Sequence, residues 1–120
     1  MSGGDHNIRG FYVHVPFCDG KCRYCAFYSI LYDRRCADQY LAALEQELEM
    51  CPDLKPETIY IGGGTPSVLS VRQLERLCAL IRRHLCFDEV REWSIEANPG
   101  SITRDKLSIL VRAGVDRISL

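Results

Sequence analysis

Three cysteines crowd into the segment Cys18-Asp19-Gly20-Lys21-Cys22-Arg23-Tyr24-Cys25, a CxxxCxxC pattern. Thiols this close together either bind a metal or remain reactive, and thiolates suit zinc or an iron–sulfur cluster. A cubane cluster held by three cysteines leaves one iron without a protein ligand. That position can take a substrate, much as a catalytic zinc keeps an open coordination site. A closed zinc site would need a fourth ligand from Cys36 or a histidine, and there is no second CxxC to supply it. Spacing alone leaves cluster, zinc and coincidence open.

Two other places carry residue types with chemical use. Gly62-Gly63-Gly64 permits positive φ and a close approach of backbone to ligand, while Pro66 restricts Thr65 to extended geometry. The bland alternative is an ordinary turn. Glu96 ends a β-rich run, where a buried carboxylate is costly unless it is paired or hydrogen-bonded, so it needs a partner. Otherwise it is a surface acid. Tyr12 and His14 alternate with Phe11, Val13 and Val15 and so share one strand face, with His14 read as a hydrogen-bonded interior histidine. His6 and His84 carry no signal, and Cys36, Cys51, Cys78 and Cys86 are read as core or helix-surface residues.

The elements that must position these groups are legible from periodicity. Phe11 to Val15 is aromatic and β-branched and stops at Pro16, as a short strand would. Leu41, Leu44 and Leu48 recur at helical spacing within Ala37 to Met50. A second strand runs over Thr58 to Ile61 into the glycines. Ser70 and Gln73 form a capping box before a helix whose apolar face is Leu74, Leu77, Cys78, Ile81 and Leu85. Glu92 to Ala97 is a third strand. Thr103 caps a helix in which Leu107, Leu110 and Val111 share a face, Gly114 stops it, and Asp116 to Leu120 begins a fourth strand.

The order β-α-β-α-β-α-β is that of an α/β fold with parallel strands joined by helical crossovers. Two architectures fit, a doubly wound open sheet and the opening units of a (β/α) barrel, and in both the ligand sits at the carboxyl ends of the strands. A sequence ending inside a strand is expected to be a fragment of a longer barrel, prone to associate through its unprotected edge when expressed alone.

Composition supports one globular unit. The 120 residues are 47% apolar and 26% charged, which excludes disorder and collagen. Lys and Arg number 15 against 16 Asp and Glu, so there is no basic field to attract nucleic acid or an anionic membrane. No apolar run approaches the ~20 residues of a membrane span, and MSGGDHNIRG is not a secretory signal. Residues 1–10 read as a flexible tail before a unit covering 11–120. Seven cysteines, an odd number with three clustered, are not a disulfide framework, so a cytoplasmic location is expected.

The stretch YVHVPFCDGKCRYCAFYS resembles the signature of the radical S-adenosylmethionine (radical SAM) superfamily, in its coproporphyrinogen III oxidase-like branch. IYIGGGTPS at Ile59–Ser67, IEANPG at Ile95–Gly100 and the closing RAGVDRISL resemble the same proteins in the same order, so the likeness extends from Tyr12 to Leu120. It implies the first part of a partial TIM-like (β/α) barrel. It further implies that Cys18, Cys22 and Cys25 hold a 4Fe-4S cluster whose free iron chelates SAM, which one electron cleaves to methionine and a 5'-deoxyadenosyl radical. Tyr24 then matches an aromatic position near the adenine, and Tyr12 a tyrosine beside the cofactor. Gly62, Gly63 and Gly64 match a backbone that receives the SAM amino group, Thr65 adds a hydroxyl, and Glu96 matches an acid that binds the ribose hydroxyls or ammonium. The branch implies one of two activities. One is an oxygen-independent coproporphyrinogen III dehydrogenase of porphyrin biosynthesis. The other is a heme chaperone, with heme and an acceptor protein as partners; either needs an electron donor protein. The dehydrogenases extend the motif to CxxxCxxCxC, and Phe27 stands at that last position here, which favours the chaperone.

Overall fold

The computed structural model describes residues 10–19 and 30–120. Cys22, Tyr24, Cys25 and Phe27, and the tail before Gly10, lie outside the described residues. The elements are β1 (Gly10–Val15), β2 (Phe17–Cys18), β3 (Ile30–Leu31), α1 (Arg34–Glu49), β4 (Thr58–Gly63), α2 (Val71–His84), β5 (Glu92–Glu96), α3 (Arg104–Ala113) and β6 (Arg117–Ser119). The main sheet is wholly parallel in the order β1-β4-β5-β6, and β2 and β3 form a separate parallel pair.

That order decides between the two architectures. Each new strand is added beside the last, with no reversal of direction across the sheet, which is the winding of a (β/α) barrel wall and not of a doubly wound sheet. The strand faces agree. Val13 and Val15, Ile59 and Ile61, and Trp93 and Ile95 are buried in one cluster with Ala37 and Leu41 of α1, Leu74, Leu77 and Ile81 of α2, and Leu110 of α3. All three helices therefore cover the same face. The opposite face carries Tyr12, His14, Tyr60, Ser94, Glu96 and Ser119, aligned by the register of the four strands. A side-chain period of two keeps this polar set apart from the apolar one.

Local signals account for the element ends. Asp33 accepts from the Arg35 and Cys36 amides at 2.9 and 3.1 Å, so α1 starts three residues before its first apolar contact at Ala37. These bonds, that to Cys36 above all, hold the Asp33 carboxyl below its ordinary pKa. The Ser70–Gln73 capping box is present in both directions. Gln73 is itself buried and donates its side-chain amide to Arg34 C=O and to Asp38, which locks α2 onto the start of α1. Thr103 caps α3, and Gly114 ends it at φ 114°, in the left-handed region.

Two expectations need correction. The buried face of α3 is Ile109 and Leu110, whereas Leu107 and Val111 are 38% and 68% exposed. Helical spacing fixes which residues share a face but not which face docks, and α3 turns Ile109 toward α2 because α2 is the helix beside it. The second strand also continues through Gly62 and Gly63, because their backbones pair in register with His14 and Val15. Glycine ends a run of side chains without ending a ladder of amides.

Among the described residues, no helix is long and apolar enough to cross a membrane. Cys78 is buried while Cys36 and Cys51 are exposed. Burial, helped by Glu75, pushes the Cys78 thiol up to about 12. Since the thiolate is the reactive form, Cys78 should resist iodoacetamide at pH 8 while Cys36 and Cys51 are alkylated, and should react at once in denaturant. Peptide mapping by mass spectrometry checks this order.

Candidate cofactor site at the strand ends

The carboxyl ends of β1 and β4 are held together beyond their last paired residues. The Gly64 amide donates to Val15 C=O at 2.8 Å and the Thr65 amide to Phe17 C=O at 2.6 Å. The glycine turn is thus laced to the backbone immediately before Cys18. Glycine is required for this. A Cβ on Gly64 would collide with the Phe17 carbonyl, and one on Gly63, where φ is +115°, would lie 2.6 Å from Val15 O. Thr65 is extended, as the following proline demands, and its side chain makes no capping bond.

Cys18 is buried in β2, its carbonyl accepting from the Tyr32 amide at 2.8 Å. Pairing of β2 with β3 brings the two ends of the cysteine-bearing segment together, Phe17 beside Ile30 and Cys18 beside Leu31. The next residue, Asp19, approaches the Asn98 side-chain amide at 3.5 Å, so the turn after β5 borders the same segment. Ser67, almost fully buried, takes the Asn98 amide on its hydroxyl at 2.9 Å and shares a 2.6 Å bond with Ser101. Lys106 reaches up from α3 to donate to the carbonyls of Ser67 and Ser101 at 2.7 and 2.9 Å. Burial lowers its ammonium pKa. The turns after β4 and β5 are therefore one hydrogen-bonded unit.

Glu96 has the partners its position demands. Its Oε2 accepts from the Tyr60 hydroxyl at 2.6 Å and its Oε1 from the Gly63 amide at 3.2 Å. It stands with Gly64, Thr65, Asn98 and Ser119 around a cleft of about 360 Å³ at the strand ends. Tyr12 does not line that cleft. It lies alongside Tyr60, rings stacked with centroids 6.0 Å apart. Desolvation first, and then the charge of Glu96, raises the Tyr12 pKa. His14 is in hydrogen-bond contact with the Tyr12 hydroxyl at 3.2 Å through Nδ1, and its carbonyl takes the Tyr40 hydroxyl at 2.5 Å. It is bonded as expected, but exposed on the open face.

The structure thus brings Cys18, Gly62, Gly63, Gly64, Thr65 and Glu96 to one end of the sheet, with Tyr12 one layer below. Residues that sequence reasoning missed are Tyr60, Ser67 and Ser119. Tyr60 was detectable by parity, two positions before Gly62 on the same strand face. Ser67 carried no signal, since its partners come from the turn after another strand.

A wholly parallel wall of strands with its helices on one face is that of a (β/α)-barrel protein, in which ligands sit at the carboxyl ends where a cysteine, a glycine turn and an acid gather here. The radical SAM superfamily model matches residues 12–120, and the chain belongs to that superfamily. It is 43% identical over 109 residues to "Heme chaperone HemW" of Lactococcus lactis, covering 91% of this chain and 29% of that one. Against "Oxygen-independent coproporphyrinogen III oxidase" of Salmonella typhimurium it is 39% identical over 114 residues, covering 91% and 25%. Among solved structures, the coproporphyrinogen III oxidase HemN of Escherichia coli, described as a radical SAM enzyme, superposes with a TM-score of 0.81 at 35% identity, over 93% of this chain and 27% of that one. The chain spans under a third of the length of these relatives.

Gly63→Ala places a side chain at positive φ and against Val15 O, a strain of about 1–3 kcal/mol. Gly100, where a Cβ would meet nothing closer than 3.4 Å, is the control. Urea denaturation should show Gly63→Ala destabilised by that amount and Gly100→Ala within about 0.5 kcal/mol of wild type.

Proposed function

We propose that residues 11–120 are the amino-terminal part of a radical SAM core domain, and that the complete protein is a heme chaperone which binds heme and passes it to an acceptor protein. In this reading Cys18, Cys22 and Cys25 hold a 4Fe-4S cluster. Gly62, Gly63, Gly64, Thr65 and Glu96 receive SAM, Tyr24 stands near its adenine and Tyr12 supports the site. The observation that carries the cofactor assignment is the pair of backbone bonds joining the glycine turn to the residues before Cys18, with Glu96 bonded to the same turn.

The residues present fit such a cofactor. Gly63 and Gly64 form a cradle that a Cβ would fill, Glu96 is an acceptor suited to hydroxyl or ammonium donors, and the cleft between them has room for a small ligand. When bound, the cluster supplies the electron that cleaves SAM reductively, drawn from an electron donor protein. The chain's own residues bind and orient. The glycine turn lets backbone come close, Glu96 fixes the polar end of the ligand, and Lys106 with Ser67 keeps the two turns from separating. A thiolate-ligated cluster suits the reducing cytoplasm.

Phe27, where the dehydrogenases carry a further cysteine, supports the chaperone reading, as does the 43% identity to the Lactococcus lactis heme chaperone against 39% to the Salmonella typhimurium oxidase. The oxidase-named relatives and HemN keep a coproporphyrinogen III dehydrogenase as the second reading.

Anaerobic reconstitution of the full-length protein should give a brown product whose reduced EPR signal changes on adding SAM. Cys18→Ala, Cys22→Ala or Cys25→Ala should abolish iron uptake and Cys36→Ala should not; stoichiometric zinc without iron defeats the cluster assignment. Glu96→Ala should weaken SAM binding about tenfold or more, about 1.4 kcal/mol, with iron intact. The same protein should bind heme and transfer it, and sustained conversion of coproporphyrinogen III to protoporphyrinogen IX would favour the dehydrogenase instead.

A further inference from the structure

Tyr60 sits on β4 with its ring on the open face, two residues before Gly62, and makes no part of the cleft wall. Its 2.6 Å bond to Glu96 is in the range of a hydroxyl donating to an ionised oxygen. With the Gly63 amide on the other oxygen, both carboxylate oxygens are held by donors from β4. A carboxylate has about four lone-pair sites, so two remain for a ligand. The ring is fixed in turn by stacking on Tyr12, the planes 17° apart.

Gly62 makes the contact possible. A Cβ there would lie 2.8 Å from Tyr60 Cε1, 2.9 Å from Glu96 Oε1 and 3.1 Å from the Glu96 carboxyl carbon, crowding both side chains. The first glycine of the run thus serves the Tyr60–Glu96 bond, while the second and third serve the backbone turn. The bond to Glu96, then desolvation, raises the Tyr60 pKa, so the phenol stays a donor throughout the working range of pH.

We infer that Tyr60 is a positioning residue for Glu96: it holds the carboxylate at the mouth of the cleft with its remaining lone pairs toward the ligand. The inference rests on the proposed reading of Glu96 as a SAM contact. Glutamate has several rotatable bonds to immobilise on binding, and a donor that orders it beforehand removes that cost from the affinity.

The test is a double-mutant cycle in the full-length, cluster-loaded protein, with SAM titrated by calorimetry and iron measured in every variant. Tyr60→Phe should weaken SAM binding about three- to tenfold, the effect of removing one hydrogen bond. Iron content and the EPR signal at saturating SAM should stay as in wild type, and KM for SAM should rise with kcat little changed. In the Glu96→Ala background, Tyr60→Phe should cost nothing more. An unchanged affinity in Tyr60→Phe overturns the inference. So does a loss that persists without Glu96, because it would mean Tyr60 acts through packing alone. Wild-type SAM affinity in Glu96→Ala is a different failure, which removes the reading of Glu96 and the inference together.

Discussion

The candidate site hangs on the backbone lacing between the glycine turn and the end of the first strand. The Gly64 and Thr65 amides donate to Val15 and Phe17, past the point where the ladder of β1 and β4 stops. Nothing with a Cβ could make this approach at Gly64, because the Phe17 backbone occupies the place a methyl group would take. Through these bonds the start of the cysteine segment is placed by β4. Through the Gly63 amide the same turn fixes Glu96 on β5. Three strands thereby contribute to one candidate site.

This arrangement relies on a sheet whose two faces differ in kind. Val13, Val15, Ile59, Ile61, Trp93 and Ile95 bury the helix side, and their burial drives the packing of α1, α2 and α3 against it. The other side presents tyrosines, serines and charged groups. Polar side chains can stand together on that side because they bond one another: Ser94 to Glu92, Tyr60 to Glu96, Tyr12 with His14. The apolar core therefore fixes which face each strand turns to the helices, and the register of the ladder sets which polar groups meet on the other.

The turns after β4 and β5 show how rigidity is built without regular structure. Ser67, Asn98, Ser101 and Lys106 exchange hydrogen bonds that satisfy turn carbonyls and amides no ladder reaches. A lysine partly stripped of water is held in place by two carbonyl acceptors. Such bracing keeps the groups of a strand-end site within bonding tolerance of one another, which loops on their own do not do.

The kind and order of the main elements are legible in the residues, because each rests on local chemistry. The capping box at Ser70, the stop at Gly114, the proline after Val15 and the helical spacing of Leu74, Leu77 and Ile81 need no distant partner to be read. The sequence also singled out the cysteines, the glycine run and Glu96, since unusual residue types at fixed spacing stand out against a globular background. Tertiary structure alone decided the rest. The choice of barrel wall over doubly wound sheet lay in strand order, which is a matter of which non-adjacent segments pair. The docking face of α3 depended on where α2 lies, and Leu107 and Val111 went to solvent in spite of their spacing. The partner of Glu96 was set by strand register, which aligns Tyr60 with Tyr12 and Ser94 and so brings its hydroxyl within reach of a carboxylate 36 residues away. Registers of that kind are fixed by the packing of the whole sheet, and no local run of residues encodes them.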